Sequence, residues 1–256
     1  MRQCLVVFAS CLLVAACDDA GGQVADATGA PQDGADGADA TTATSEDAAP
    51  ESTPPLDTAL PDLGEVDQNR DLRNGSIVRV GHVTDGDTLE VWVGTLAPKS
   101  YVIRMKGLSS PECFKDQRQT PDGNKYVCTA DDELYGLQSY VTLKALIEGK
   151  TVRVTCDVAT GAWCDQDTFD RYLAYLEYEG KDAATEMARA GAGFSYTDFS
   201  SSKRAQICQA EYEARNAARG IWALGSVEQI MAQMNSSTAG WYKKHDARCD
   251  AAIGGN

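Results

Sequence analysis

The sequence predicts an α+β, mainly β domain: a five-stranded OB-type β-barrel carrying about three helices. Three observations predict it. Five short runs rich in β-branched and aromatic residues lie between positions 76 and 178, bounded by Asp, Gly and Ser turns. A stretch with helical spacing separates the third run from the fourth, and two more helical stretches follow the fifth.

The first strand is expected over 76–83, where apolar and polar residues alternate, and it ends in the turn Thr84-Asp85-Gly86-Asp87. Strands over 88–93 and 100–104 complete a meander with turn chemistry between its members. A helix is expected over 131–148. There Leu134, Leu137, Val141 and Ala145 share one face, and Gly149 supplies a stop. Gly136 inside that run weakens the helical reading. Strands over 151–155 and 171–178 follow, with Cys156 and Cys164 flanking the loop between them. The last two helices are expected over 182–190 and 202–219, each stopped by a glycine, Gly191 and Gly220. The foldable domain is therefore placed at 71–224, with a C-terminal extension over 225–256.

The chain has 256 residues, 23 Lys and Arg against 38 Asp and Glu, and two histidines, His82 and His245. Residues 18–67 alone carry 13 acids and no base, which leaves 25 acids against 22 bases beyond them. The low isoelectric point belongs to that segment, so it does not argue against a polyanionic substrate. Two histidines so far apart exclude a His-rich metal site and make a Ser-His-Asp triad a poor fit. Acid–base chemistry here must fall to carboxylates, arginines or tyrosines.

Met1 and Arg2 open a positive start, and the apolar run over 4–16 is about 13 residues long, short of the roughly 20 that span a bilayer. It reads as an export signal over 1–17. Its end, Leu13-Val14-Ala15-Ala16-Cys17, resembles a bacterial lipobox, with Cys17 the lipidated residue. Residues 18–70 hold almost no large apolar side chain before Leu56 and read as a disordered acidic linker. The mature protein is then exported and membrane-anchored through lipid, on the periplasmic face or cell surface or released from it, and monomeric. Six cysteines remain beyond Cys17: Cys113, Cys128, Cys156, Cys164, Cys208 and Cys249. An even number in an exported domain reads as three disulfides. Sequence leaves 15 pairings open; nearest-neighbour pairing gives Cys113–Cys128, Cys156–Cys164 and Cys208–Cys249. Zinc is disfavoured, because no closely spaced Cys pair is present.

Four places could carry chemistry. Asp85-Gly86-Asp87-Thr88 is by itself only a hairpin turn signal. Arg104 sits in an otherwise apolar strand, where an arginine usually snorkels to the surface. Ser109-Ser110-Pro111-Glu112 places a carboxylate in the turn after that strand, and Asp170-Arg171 opens the last strand.

In order and spacing, Val-Thr-Asp-Gly-Asp-Thr-Leu at 83–89, an arginine strand ending in Ser-Pro-Glu at 110–112, Asp-Arg-Tyr-Leu-Ala-Tyr-Leu at 170–176 and Ala-Ala-Arg-Gly-Ile-Trp at 217–222 resemble the staphylococcal nuclease (thermonuclease) family. The resemblance runs from about Gly75 to Trp222. It implies an OB barrel with a shallow Ca2+ site that hydrolyses phosphodiesters of DNA and RNA. By that resemblance Arg104 and Arg171 clamp phosphate, Glu112 is the general base, and Asp87 and the Ser110 backbone carbonyl hold calcium. Phe169 stands where the family packs an aromatic on the nucleotide, with Tyr196 a second candidate. Ser109 stands where the family carries a second metal-binding aspartate, so weakened Ca2+ binding is expected. The alternative is a catalytically inactive OB module that binds nucleic acid or protein.

Overall fold

The computed structural model describes residue 66 and residues 71–254. The expected signal segment, the lipidation site Cys17 and, save residue 66, the linker lie outside the described residues. The chain runs β1 Ile77–Val83, β2 Thr88–Val93, β3 Lys99–Met105, β4 Leu108–Ser109, β5 Cys113–Thr120, β6 Gly123–Asp131, α1 Gly136–Ile147, β7 Thr151–Thr155, β8 Tyr172–Tyr178, β9 Lys181–Asp182, α2 Ala183–Arg189, β10 Phe194–Ser195 and α3 Arg204–Asn216. A 3-10 turn at Gly220–Ala223 follows, then α4 Val227–Met231, α5 Ser236–Tyr242 and α6 His245–Gly254.

Strands β3, β2, β1, β7 and β8 are neighbours in that order, and β3 also pairs with β8 in parallel, which closes a five-stranded barrel. Alternation along β1 and β2 sends Val78, Val80, Leu89 and Val91 inward, where each is fully buried. Helices α1 and α2 cover the barrel with Leu143, Ile147, Met187 and Ala188. A second apolar cluster, including Phe194, Ile221, Trp222, Ile230 and Tyr242, joins the 3-10 turn and the C-terminal extension to α3.

Three expectations change. The helix expected over 131–148 begins at Gly136, because Asp131 belongs to β6 and its carboxylate accepts the Leu137 amide at 2.7 Å. Gly136 is no flaw in that helix: a Cβ there would overlap the carbonyl oxygen of Glu112. The stretch over 113–131 forms a long β5–β6 hairpin that its polar, weakly alternating residues did not announce. The extension adds three helices to the three expected. Disulfides join Cys113 to Cys128 within the hairpin, Cys156 to Cys164, and Cys208 of α3 to Cys249 of α6.

Candidate active site

Parallel pairing of β3 with β8 decides where the arginines go. Arg104 lies opposite Thr88 on one side and Leu173 on the other, which brings it near Arg171, the residue just before β8. Both line one cavity of about 660 Å3, together with Glu112, Phe169 and Tyr196.

Each arginine is set from behind by a carboxylate. Arg104 Nη1 pairs with Asp87 Oδ2, and its Nη2 lies 3.5 Å from the Ser109 hydroxyl. Burial pushes this guanidinium below the usual arginine range, against the pull of Asp85. Arg171 donates from Nε and Nη2 to Asp167 Oδ2 at 2.8 and 2.7 Å. The other Asp167 oxygen accepts the backbone amides of Phe169 and Arg171, at 2.9 and 3.0 Å. Partial burial opposes ionisation of Asp167, but Arg171 outweighs it and holds the carboxyl below its usual range. The Arg171 guanidinium also sits 5.4 Å over the Phe169 ring, which is 75% exposed. Thr88 connects the two halves: its hydroxyl donates to Asp87 Oδ1 at 3.0 Å and accepts from Arg171 Nη1 at 3.4 Å.

Asp87 is 3% exposed and fully engaged, since its Oδ2 also accepts the Ser110 amide at 2.7 Å. That bond docks the turn carrying Glu112 against the Asp85-Gly86-Asp87 loop. Gly86 permits the approach, because a Cβ there would meet the Ser110 and Ser139 Cβ atoms at 2.6 and 2.8 Å. The Glu112 side chain is half exposed, within reach of solvent, while its backbone is fixed. Its amide donates to Glu133 Oε2 at 2.8 Å and its carbonyl accepts the Glu133 amide at 2.9 Å. Lys115 bridges two acids, 2.8 Å from Asp85 Oδ2 and 3.3 Å from Glu112 Oε2. Partial burial works against its ammonium, but those carboxylates outweigh it and hold it above the usual lysine range.

The oxygen donors at hand are the carboxylates of Asp85, Asp87 and Glu112 and the backbone carbonyl of Ser110, a set suited in kind to a hard cation. Ser109 places a hydroxyl where the resemblance expects a second metal-binding aspartate. Among the described residues no group of three or more His, Cys, Asp or Glu side chains is gathered as a metal cluster. The three carboxylates are suited in kind to a hard cation but are already engaged by Arg104 and Lys115.

Every site residue expected from sequence lies in this region: Arg104, Ser109, Glu112, Phe169, Arg171 and Tyr196 line the cavity, with Asp87 and Ser110 immediately behind it. Tyr196 borders the cavity from the β10 side, its amide bonded to the Gly107 carbonyl at 2.8 Å. Sequence reasoning missed the positioning acids. Asp167, four residues before Arg171, was readable as a local pair; Glu133, 21 residues from Glu112, had no local signal.

Residues 102–224 match the family model described as staphylococcal nuclease homologue. Two Escherichia coli proteins, one from strain O157:H7, are named uncharacterized endonuclease. Each is 30% identical over 146 residues, covering 57% of this chain and 76% of its own. A rice protein (Oryza sativa subsp. japonica) named probable staphylococcal-like nuclease CAN2 is 28% identical over 131 residues, 51% of this chain and 28% of that longer protein.

Proposed function

The chain belongs to the staphylococcal nuclease family, and from that premise we propose that it is an exported, lipid-anchored, Ca2+-dependent endonuclease hydrolysing phosphodiester bonds of DNA and RNA. It is a nuclease hydrolase of an OB-type fold. The observation that carries the finer reading is the convergence of Arg104, Glu112 and Arg171 on one cavity, with each guanidinium aimed by a carboxylate, buried Asp87 and part-buried Asp167.

Attack on a phosphodiester builds negative charge on the non-bridging oxygens. A guanidinium offers parallel donors to such oxygens. Arg104 and Arg171 are held in place before substrate arrives, so they stabilise that charge without reorganisation. Glu112 takes the proton of the attacking water. The water oxygen bonds to phosphorus, the P–O5′ bond breaks with the leaving O5′ taking a proton from solvent water, and the products are a 3′-phosphate and a 5′-hydroxyl. Calcium, held by Asp87 and the Ser110 carbonyl with water completing its shell, would supply a further positive charge at the phosphate. Phe169 and Tyr196 would take the flanking bases. Three disulfides suit an oxidising compartment. No helix among the described residues is long and apolar enough to cross a membrane; the proposed anchor is a lipid on Cys17.

The test is cleavage of single- and double-stranded DNA and of RNA, titrated with Ca2+ against chelator. Calcium-dependent cutting that disappears in Glu112→Gln, with unchanged folding, is the expected result; full activity in that variant sinks the assigned role. Loss of membrane association in Cys17→Ala tests the anchor. One observation favours the second reading, a binding module without activity: Lys115 already neutralises Asp85 and Glu112. That reading predicts oligonucleotide binding without cleavage even at about 10 mM Ca2+, above the dissociation constants of weak extracellular sites.

A further inference from the structure

The family match ends at residue 224, yet Asn235, Ser237, Thr238 and Trp241 line the same cavity as Arg104, Glu112 and Arg171. The extension is fixed there by four independent devices. Cys249 is bonded to Cys208. Glu211 of α3, fully buried, accepts from the Tyr242 hydroxyl at 2.7 Å and pairs with His245 Nε2 at 2.8 Å. Tyr242 also packs edge-on against Phe194 at 5.5 Å. Finally, Glu133 accepts the Asn235 amide through Oε1 at 2.7 Å, while its other oxygen holds the Glu112 amide. One buried carboxylate therefore joins the extension to the turn that carries the proposed base.

Toward the cavity, Trp241 meets Tyr196 edge-on, with ring centroids 5.0 Å apart and planes at 87°. Tyr196 in turn lies 5.8 Å from Phe199, whose ring is 70% exposed. Behind them Trp241 rests on Tyr242 at 5.4 Å. The row is thus continuous with the phosphate-facing arginines and backed by the buried cluster. The polar groups that the extension adds to the cavity, Asn235, Ser237 and Thr238, are neutral donors and acceptors that do not repel a polyanion.

We propose that the C-terminal extension is a wall of the substrate cleft, with Trp241, backed against Tyr196 and Phe199, forming an aromatic shelf for an unpaired nucleobase of a strand whose phosphate lies on Arg104 and Arg171. This rests on the nuclease reading and adds a subsite to it. Aromatic faces stack any base but only once it is splayed from a duplex. Removing one such ring weakens binding roughly 5- to 150-fold per base.

The probe is a single-stranded eight-nucleotide DNA, used with the full chain. Trp241→Ala is expected to raise KM within that range while kcat changes little. Because Trp241 is partly buried, exposed Ser237 provides the arm that leaves packing alone. Ser237→Glu is expected to raise KM and Ser237→Lys to lower it, the latter steepening the salt dependence of binding by about 0.7 log per log. In an otherwise intact chain, oligomer binding is expected to quench tryptophan fluorescence, and Trp241→Phe to abolish that quench. Cutting with unchanged KM in both Ser237 variants, together with a quench that survives Trp241→Phe, overturns the wall while leaving the nuclease reading in place. Binding with a Trp241-dependent quench, but no cutting by the unsubstituted chain at any Ca2+ concentration, supports the wall and overturns the nuclease reading.

Discussion

Replacing Cys208 and Cys249 together by alanine removes the disulfide that closes the longest loop, 41 residues, against 15 for Cys113–Cys128 and 8 for Cys156–Cys164. In the chain-entropy treatment the three crosslinks restrict the unfolded chain by about 4, 3 and 2.5 kcal/mol at 25 °C, in that order. The folded state also loses the packing of two fully buried sulfurs, whose polar neighbours include Ser195 Oγ at 3.2 Å and His245 Nε2 at 3.5 Å, so the entropic figure is the minimum expected cost. For a folded body of this size each kcal/mol moves Tm by roughly 2–4 °C, so Cys208→Ala/Cys249→Ala is expected to melt at least about 8–16 °C below the oxidised parent. Urea unfolding of the three alanine pairs, all fully oxidised at their remaining cysteines, measures the series. A cost below about 1 kcal/mol for the 208–249 pair, or a larger cost for the 156–164 pair, refutes the reasoning. The first result would mean that the extension stays docked through its polar and aromatic contacts alone, with the crosslink redundant; the second would mean that loop length does not order the costs.

Four further outcomes follow from the site and its supports. Arg104→Ala strands Asp87 without a countercharge and is expected to cost about 3–5 kcal/mol and about 10²–10³ in rate; urea unfolding and cleavage assays should show Arg104→Ala/Asp87→Asn recovering stability but not activity. Gly136→Ala would drive a Cβ into the Glu112 carbonyl oxygen, a backbone clash; a displacement near 1 Å is expected to lower kcat about 10²-fold together with Tm, and parental kcat and Tm would contradict the contact. Lys115→Ala frees Asp85 and Glu112 and should lower the Ca2+ needed for half-maximal rate by up to about fivefold, the worth of a partly exposed ion pair; an increase would contradict the competition. Burial works against ionisation of Glu211, but His245 and Arg215 outweigh it and hold its carboxyl below the usual range. A depressed folded value gives stability that is present above the unfolded carboxylate pKa of about 4.3 and lost as pH falls through the folded one. Thermal melts from pH 6 to pH 3 should therefore fall steeply for the parent chain and less steeply for Glu211→Gln, whose stability at pH 6 is already lower.

The barrel was legible because its strands carry a strict alternation: Val78, Val80, Leu89 and Val91 are buried where period two places them. The clamp residues were legible as motifs, since Arg104, Glu112 and Arg171 each sit at the end or start of a strand with a turn beside it. The hairpin over 113–131 was not, because Lys115, Asp116, Gln117 and Arg118 follow one another without an apolar face; it is held instead by Cys113–Cys128 and by register with its own partner. Glu133 escaped for a different reason, and with it the meeting of the extension with the site. Its partners lie 21 and 102 residues away, at Glu112 and Asn235, and no local period encodes such a meeting. Gly136 was misread in the same way: its purpose is a backbone approach from Glu112, not a property of the helix it begins.

The same pairing logic explains how a domain with slightly more acids than bases can present cations to a phosphate. Each cation at the site has a carboxylate partner: Asp87 with Arg104, Asp167 with Arg171, Asp85 with Lys115. Asp85 and Asp87 are buried, whereas Asp167 itself lines the cavity, so these acids fix the direction in which the cations point and offset part of their charge at the substrate. What they cost is reach. With few unpaired bases nearby, long-range attraction of a polyanion is weak, and binding must come from short-range contacts at the cleft. A chain built this way has reason to add aromatic surface beside its arginines, since stacking needs no net charge. Phe169 on one bank of the cavity, and Trp241 supplied by the extension with Tyr196 and Phe199, are where the structure adds it.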